Sequence, residues 1–276
     1  MKKRFISASA LIIIVLVCVF AGSYTRTALF LVSGILCAYE LCRNLEKTNL
    51  KCSFGVLTAY LVSQAVCVQF FPSLLSYCIC FVCCSYLAIL FGILSKDNKG
   101  GAVFGTLTGL VYPCLLFGLV MVICADELWL ETLSIACVAT WTCDSFALFG
   151  GKRFGKTKLA PEISPNKTVE GSICGAVSSV FAGVIIWLLG KAFGGCVFGR
   201  YAYMQLPLWC CALTSLLAST FGQLGDLAES LIKRMIGVKD FSDLIPGHGG
   251  MFDRADSLLF SIPAAYACLQ FFVLIK

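Results

Sequence analysis

Carboxylates and cations are concentrated in one polar run near the end of an otherwise apolar chain. The run from Ser230 to Asp256 holds four of the 21 Lys and Arg residues, four of the 15 Asp and Glu residues and the only histidine. Asp226 lies just before this run and Asp253 near its end, and a chain that folds back brings the two carboxylates together. Because oxygen ligands without a Cys or His cluster are typical of Mg²⁺, we expect Asp226 and Asp253 to bind this metal.

The glycines and cations around this pair indicate a substrate class. Residues 246–250 read Pro-Gly-His-Gly-Gly, which is incompatible with a stable helix and typical of a flexible or close-approach loop. Magnesium, lysines and a glycine-rich loop together predict a nucleoside triphosphate and a phosphoryl-type transfer, in which positioning and charge neutralisation supply most of the catalysis. The role of His248 stays open between a base, a phosphate donor and a structural contact.

The residues just before the run have the spacing of one helix face. Asp226, Glu229, Ser230 and Lys233 follow an i, i+3, i+4, i+7 pattern, so a continuous helix puts two carboxylates, a hydroxyl and an ammonium side by side. An ion-paired helix in solvent would have the same spacing. The spacing alone therefore does not show whether this helix face binds a substrate or is exposed to solvent.

A second polar segment lies upstream. Asp144 falls within an apolar helix, where a carboxylate is expensive and is a functional candidate, with a buried, paired Asp as the alternative. The residues from Gly150 to Thr157 match a P-loop by their letters, but that motif needs a preceding strand and a following helix. An apolar helix precedes them here and Pro161 follows closely. We therefore expect a loop whose lysines hold phosphate without the P-loop fold, or lysines that only mark the cytoplasmic side.

A proline-stiffened turn closes this upstream segment. Ser164, Lys167 and Thr168 offer hydroxyl and ammonium donors, which suit a phosphate or an oxyanion. Capping of the next helix by Thr168 is the alternative.

Composition identifies the elements that must position these groups. The chain has 59% hydrophobic and 13% charged residues and a mean hydropathy of +0.91, whereas soluble domains carry about 25% charged residues. About 20 apolar residues cross a bilayer. Windows of that size lie near 4–22, 27–42, 53–71, 74–95, 101–123, 128–150, 171–193, 206–226 and 256–275. We expect an all-α polytopic membrane protein of about nine transmembrane helices. A count of eight or ten helices also fits the sequence.

The charges orient these spans. An N-terminus in the cytoplasm places 17 of the 21 Lys and Arg residues on the cytoplasmic side, as the positive-inside rule predicts. Two large polar loops, 151–170 and 227–255, then face the cytoplasm. We expect one integral-membrane domain, 1–276, with an apolar scaffold over 1–125 and a catalytic half over 126–276. Within the scaffold, Glu40 is expected to reach the membrane surface near Arg43.

The 18 cysteines lie mostly inside the predicted spans and are expected to be structural thiols. Cys80 and Cys83 have a CxxC spacing, but neither a second pair nor a histidine accompanies them, so a zinc site is not expected. Cys196, which is placed outside a span on the non-cytoplasmic side, is the position for which a disulfide stays open.

At the polar run the sequence resembles the phosphatidate cytidylyltransferases, also called CDP-diacylglycerol synthases. The family pattern S-x-apolar-K-R-x4-K-D-x-small-x2-apolar-P/G-x-H-G-G-apolar-x-D-R-apolar-D is matched in register from Ser230 to Asp256. The one departure is Ala255, where the family usually has a larger apolar residue or Thr. The matching upstream positions are Asp144, Ala147, Gly155, Lys156, Leu159, Ser164, Pro165, Lys167, Thr168, Glu170, Gly171, Gly225, Asp226, Leu227, Glu229 and Ser230.

The resemblance, which covers about residues 140–260, implies a reaction and its residues. CTP and phosphatidic acid give CDP-diacylglycerol and pyrophosphate, with Mg²⁺ on Asp226 and Asp253 and, as a further expectation, a second, monovalent cation. The implied catalytic residues are Asp226, Lys233, Arg234, Lys239, Asp240, His248, Asp253, Arg254 and Asp256. The implied substrate-binding residues are Asp144, Lys156, Ser164, Lys167, Thr168, Glu170, Glu229 and Ser230.

The resemblance also implies a homodimer of multi-span subunits among membrane lipids, and no nucleic-acid partner is expected. The lack of a targeting peptide favours a bacterial cytoplasmic membrane, and the charge distribution favours an active site on the cytoplasmic face.

Two other functions share parts of this pattern. A CTP-dependent lipid kinase, such as a polyprenol kinase, also needs a membrane, CTP and Mg²⁺, but it transfers the γ-phosphoryl group. A transporter predicts polar residues throughout the bundle and often inverted repeats. Here the polar residues cluster at one membrane face and no internal repeat is evident. The D-G-x2-A-R type motif of CDP-alcohol phosphotransferases is absent from the sequence.

Overall fold

The computed structural model describes residues 13–48, 50–96, 98–197, 206–244 and 249–275, with the backbone alone at 193–197 and 275. The chain divides into two compact units. The first unit comprises Met1–Ala125 and Lys233–Ala255, and the second comprises Asp126–Ile232 and Asp256–Lys276.

The first unit is built from helices that begin at polar residues. Its elements are α1 (Ser23–Leu45), α2 (Phe54–Phe70), α3 (Leu74–Leu94), α4 (Lys99–Gly109), the π-helical turn Leu110–Leu115 and α5 (Leu116–Ala125). Residues 13–21 are helical as well. The side chains of Ser53, Ser73 and Asn98 accept backbone N–H groups at the starts of α2, α3 and α4. Such caps satisfy donors that a helix leaves unpaired in its first turn.

Small residues set the packing of α3, which is apolar all round. Its buried residues are Cys84, Ala88 and Gly92, and its large side chains are mostly exposed. A Cβ on Gly92 would lie 2.1 Å from Val103 Cγ2 of α4. Close approach through small residues, with large apolar side chains facing outward, is typical of a helix in lipid.

The second unit contains a short hairpin among long helices. Its elements are α6 (Trp129–Phe154), β1 (Lys158–Ala160), β2 (Ser164–Thr168), α7 (Val169–Val197), α8 (Leu208–Ile236) and α9 (Phe252–Ile275), where the last turn of α8 and the first turn of α9 belong to the first unit. The strands pair antiparallel, with Lys158 opposite Thr168 and Ala160 opposite Ser164. Glycines bring α6 and α7 close together, since a Cβ on Gly175 would lie 2.7 Å from Cys143 Sγ.

Within the described residues, seven helical segments are long and apolar enough to cross a membrane. They are Ser23–Leu45, Leu74–Leu94, Lys99–Ala125, Trp129–Phe154, Val169–Ala192, Leu208–Ile236 and Phe252–Leu274. The predicted window 53–71 corresponds to the shorter α2, and residues 4–12 of the window 4–22 lie outside the described residues. The described helices agree with the predicted all-α polytopic membrane protein. The count of nine transmembrane helices and the cytoplasmic position of the N-terminus stay predictions.

The polar loops are shorter than predicted, because the helices around them extend further. α6 continues to Phe154 and α8 to Ile236, and the hairpin occupies most of the remaining loop after α6. The 17 cysteines whose side chains are described are free thiols. The side chain of Cys196 lies outside the described part of the chain.

Candidate active site

A pocket of about 640 Å³ opens in the second unit, beside the C-terminal part of α6, the hairpin, the start of α7 and α8. Its lining residues are Asp144, Ala147, Leu148, Gly151, Lys152, Gly155, Lys156, Lys158, Leu159, Ser164, Asn166, Lys167, Thr168, Ser172, Gln223 and Asp226. The lining thus brings together residues of both the upstream polar segment and α8. Its volume lies within the range of small-molecule sites, which is about 300–1,000 Å³.

Glu170, in the first turn of α7, holds the loop between α6 and β1. Its carboxylate accepts the backbone N–H of Lys156 at 3.1 Å and that of Thr157 at 3.1 Å. The N–H of Val169 in turn donates to the Thr157 carbonyl at 2.9 Å. Glu170 was predicted to bind substrate, and the contacts that the structure shows are with the loop backbone.

Thr168 caps α7 and lies against three glycines. Its Oγ1 accepts the N–H of Gly171 at 3.2 Å, which confirms the predicted capping. A Cβ on Gly151 or Gly155 would lie 2.9 Å from this hydroxyl, so a side chain at either position would displace Thr168. In the described chain the residues after Lys156 and Thr157 enter β1 rather than a helix. The expected absence of a P-loop fold is therefore confirmed.

The pocket carries both signs of charge. Lys167 Nζ lies 2.5 Å from Asp226 Oδ2, and the two side chains are 27% and 30% exposed. Asp144 is exposed in the same pocket, as are Lys152, Lys156 and Lys158. The four lysines outnumber the two carboxylates and favour a strongly anionic ligand. An anionic ligand that carries a bound cation can also contact the two carboxylates.

Ser172 and Gln223 are among the pocket residues that were not predicted as site candidates. The Ser172 hydroxyl donates to Gln223 Oε1, and Gln223 Nε2 lies 3.1 Å from Cys143 Sγ. This bridge links α6, α7 and α8 at the side of the pocket. The available signal was an amide side chain inside an otherwise apolar window.

Glu229 and Ser230 lie on the predicted helical face of α8, outside the pocket lining. Glu229 is fully buried and Ser230 is 9% exposed. The Ser230 hydroxyl faces Asp226 Oδ1 at 3.4 Å. Ser230 therefore supports Asp226, and a direct substrate contact by either residue stays a prediction.

The remaining predicted residues belong mostly to the first unit. Lys233 Nζ lies 3.0 Å from Asp253 Oδ1, and Asp253 Oδ2 accepts the N–H groups of Phe241 at 3.1 Å and Gly250 at 2.9 Å. Four further predicted residues are exposed in the first unit: Arg234, Lys239, Asp240 and Arg254.

Two predicted residues lie elsewhere. Asp256 belongs to the second unit, where its Oδ1 accepts the N–H of Ser257 at 2.7 Å. His248 lies outside the described residues.

The expectation for Glu40 is wrong. It is 2% exposed, and its carboxylate accepts hydrogen bonds from the Ser242 hydroxyl and from the N–H groups of Met251 and Phe252. Glu40 also borders a second cavity of about 600 Å³ within the first unit, which is lined by Tyr39, Glu40, Arg43, Lys47, Asp240, Phe241, Ser242, Asp243 and Leu244.

The donor set of the pocket fits Mg²⁺. Asp144 and Asp226 supply hard oxygen ligands, and Mg²⁺ commonly binds one or two carboxylates together with substrate phosphates. Within the described ranges no group of three or more His, Cys, Asp or Glu residues forms a protein-only metal cage. Asp226 belongs to the second unit and Asp253 to the first, so their pairing at a metal stays a prediction.

Comparisons with known proteins give a consistent result. The model of the cytidylyltransferase family matches residues 2–272. A phosphatidate cytidylyltransferase of Bacillus subtilis is 33% identical over 280 residues, which cover 99% of this chain and 98% of the relative. Proteins of the same name from Staphylococcus haemolyticus and Brucella abortus are 39% and 40% identical over 134 and 141 residues, which is about half of each chain.

Proposed function

We infer that this chain, which belongs to the cytidylyltransferase family, transfers the CMP moiety of CTP to phosphatidic acid and gives CDP-diacylglycerol and pyrophosphate. The observation that carries the inference is the pocket of the second unit, where lysines and carboxylates meet beside apolar helices. A triphosphate supplies the anionic charge that the lysines favour, and the apolar helices give a lipid substrate access from the membrane.

The reaction needs positioning more than proton transfer. An oxygen of the lipid phosphate attacks the α-phosphorus of CTP, a new P–O bond forms, and the bond between the α-phosphorus and the bridging oxygen to the β-phosphate breaks. Pyrophosphate leaves with that electron pair. A phosphate is already ionised at neutral pH, so a general base is scarcely needed. Lys152, Lys156 and Lys167 neutralise the charge on the triphosphate and on the leaving group.

We propose that the reaction depends on Mg²⁺, with Asp226 as a ligand and Asp144 beside it in the same pocket. A bound Mg²⁺ would neutralise the triphosphate and polarise the α-phosphorus. Lys167, which pairs with Asp226, holds that carboxylate in place and offers its ammonium to the phosphates. Asp253 as a second ligand and a monovalent cation remain predictions from the sequence.

The seven long apolar helices of the described chain indicate an integral membrane protein, and the relatives named above are bacterial. We propose that it resides in the cytoplasmic membrane as a homodimer, with the pocket facing the cytoplasm. The lysines of the pocket support this orientation, because positive charge favours the cytoplasmic side.

The reaction is tested with purified protein, phosphatidic acid, Mg²⁺ and CTP that is labelled at either the α- or the γ-phosphorus. We expect the α label to enter the lipid and the γ label to leave as pyrophosphate. Entry of the γ label into the lipid would instead identify a lipid kinase and contradict the proposal.

A further inference from the structure

Both carboxylate oxygens of Glu40 bind one stretch of the polar run, the described residues 241–244 and 249–252. Oε1 accepts the Ser242 hydroxyl at 2.5 Å and the Met251 N–H at 2.9 Å, while Oε2 accepts the Phe252 N–H at 2.9 Å. A buried carboxylate is costly unless it is hydrogen-bonded. Because Glu40 is 2% exposed, its three donors must stay in place, and the carboxylate fixes their positions in turn.

Asn44, one helical turn after Glu40, contacts the other end of the same stretch. Its Nδ2 donates to the Phe241 carbonyl at 2.7 Å and to the Glu40 carbonyl at 2.8 Å. α1 therefore binds the beginning of the stretch, at Phe241 and Ser242, and its end, at Met251 and Phe252. The two ends are held together by side chains of a helix about 200 residues earlier in the chain.

Gly250 shows how closely the stretch approaches Glu40. A Cβ at this position would lie 2.6 Å from Glu40 Oε2 and 2.8 Å from Oε1. Real Cβ atoms essentially never make contacts that short, so a side chain at position 250 would displace the Glu40 carboxylate. From its other side the Gly250 N–H donates to Asp253 Oδ2. The backbone at Gly250 is thus held between two carboxylates.

Aromatic packing closes the same region. The rings of Phe241 and Phe252 lie 4.7 Å apart between centroids, and that of Tyr112 lies 5.1 Å from Phe252. Phe252 is fully buried and Phe241 is 4% exposed. The ends of the stretch are therefore anchored in the first unit by apolar packing, and the hydrogen bonds to Glu40 set their register.

We propose that Glu40 is a positioning residue for cytidylyl transfer, and that its carboxylate holds the described ends of this stretch, at Ser242 and at Met251 and Phe252, in the geometry that the reaction requires. The inference rests on the proposed function and deepens it, because this stretch belongs to the matched family pattern and is flanked by the predicted catalytic residues Asp240 and Asp253. Glu40 acts through the stretch, by orienting its backbone and the Ser242 hydroxyl.

The first test compares Glu40→Gln with the parent in steady-state assays of the purified full chain. The amide puts an N–H donor where an oxygen accepted one, so at least one hydrogen bond is lost. We expect kcat to fall about tenfold or more and the KM for CTP to stay within about twofold, because the pocket lysines are unchanged. Glu46→Gln, an exposed carboxylate at the end of the same helix, is the matched control and should keep the parent's kcat.

Two further measurements separate positioning from a purely structural role. Ser242→Ala removes one of the three donors and leaves Glu40 charged, so kcat should fall about threefold at an unchanged thermal midpoint. Hydrogen exchange of the amides at 251 and 252 should become faster in Glu40→Gln than in Glu46→Gln, since their acceptor is altered.

A folded Glu40→Gln variant with the parent's kcat would overturn the proposal. Where Glu40→Gln does not fold, Ser242→Ala decides: a lowered kcat supports the positioning role, and the parent's kcat overturns it. Failure of the parent itself to transfer the α label would contradict the proposed function, which separates that outcome from the failure of Glu40 alone.

Discussion

The pocket of the second unit and the polar stretch of the first unit hold their carboxylates differently. In the pocket, Asp144 is exposed and Asp226 is 30% exposed beside Lys167. Around the stretch, Glu40 of α1 is 2% exposed and the Asp253 side chain is 6% exposed, and both carboxylates accept backbone N–H groups. Carboxylates that are open to a cavity remain available to a metal or a substrate, whereas those saturated by backbone donors fix the chain that surrounds them.

Asp226→Asn is expected to have the largest effect on turnover. The amide keeps the shape but loses the charge that pairs with Lys167 and that would bind Mg²⁺, so kcat should fall about 1,000-fold. The thermal midpoint should change little, because the side chain is partly exposed. Glu127→Gln, an exposed carboxylate of the same unit, serves as the control in the labelled-CTP assay. Near-parent turnover in Asp226→Asn would remove this residue from the chemistry.

The Asp253→Asn variant should show that the stretch of the first unit contributes more to stability than the pocket of the second unit does. Its carboxylate accepts Phe241 N–H, Gly250 N–H and the Lys233 ammonium, and loss of one partner of a buried ion pair costs about 3 kcal/mol. We expect a lower thermal midpoint together with lower activity, whereas Asp226→Asn should lose activity alone. An Asp253→Asn protein that is inactive but fully stable would favour the direct metal role predicted from the sequence.

Gly250→Ala should lower kcat about tenfold, because the new Cβ meets the Glu40 carboxylate at 2.6 Å and overpacking costs about 1–3 kcal/mol. Gly100→Ala is the matched control, since a Cβ there would meet nothing within 4 Å. Kinetics and thermal midpoints of both variants give the comparison. Equal behaviour of the two would mean that the stretch tolerates displacement.

Glu170→Gln is expected to have the smallest effect. The amide retains one acceptor oxygen for the N–H groups of Lys156 and Thr157, so the loop before β1 is loosened rather than released. The kcat/KM for CTP should fall about fivefold. Glu162→Gln, which is exposed in the hairpin turn, should leave it unchanged. A loss as large as that of Asp226→Asn would indicate that Glu170 contacts the substrate itself.

The sequence predicted helices correctly where a long run of apolar residues is enough to specify a helix that crosses the membrane. The windows 74–95 and 128–150 correspond closely to Leu74–Leu94 and Trp129–Phe154. The hairpin was not predicted, because strands of three and five residues that contain prolines and lysines have no clear period. In the structure Glu170 holds the loop backbone before β1, and Thr168 at the end of β2 caps α7.

The residues that line the pocket were predicted from their polar character in an apolar chain and from the family resemblance. Asp144, Lys156, Ser164, Lys167, Thr168 and Asp226 were all predicted, and all line one pocket. Glu40 was misread because a lone carboxylate at a helix end has the same local pattern whether it meets solvent or a distant loop. Its partners are more than 200 residues away, and only the folded chain brings them together.

The central claim is that the lysines of the second unit bind the triphosphate of CTP, and Lys167 tests it most directly. Equilibrium binding of CTP, measured by calorimetry with Mg²⁺ and without lipid substrate, compares Lys167→Met with the exposed control Lys96→Met. Loss of one charge-assisted contact should weaken the affinity of Lys167→Met for CTP about tenfold, while Lys96→Met keeps the parent's Kd. An unchanged Kd in Lys167→Met would contradict the assignment of this pocket as the CTP site.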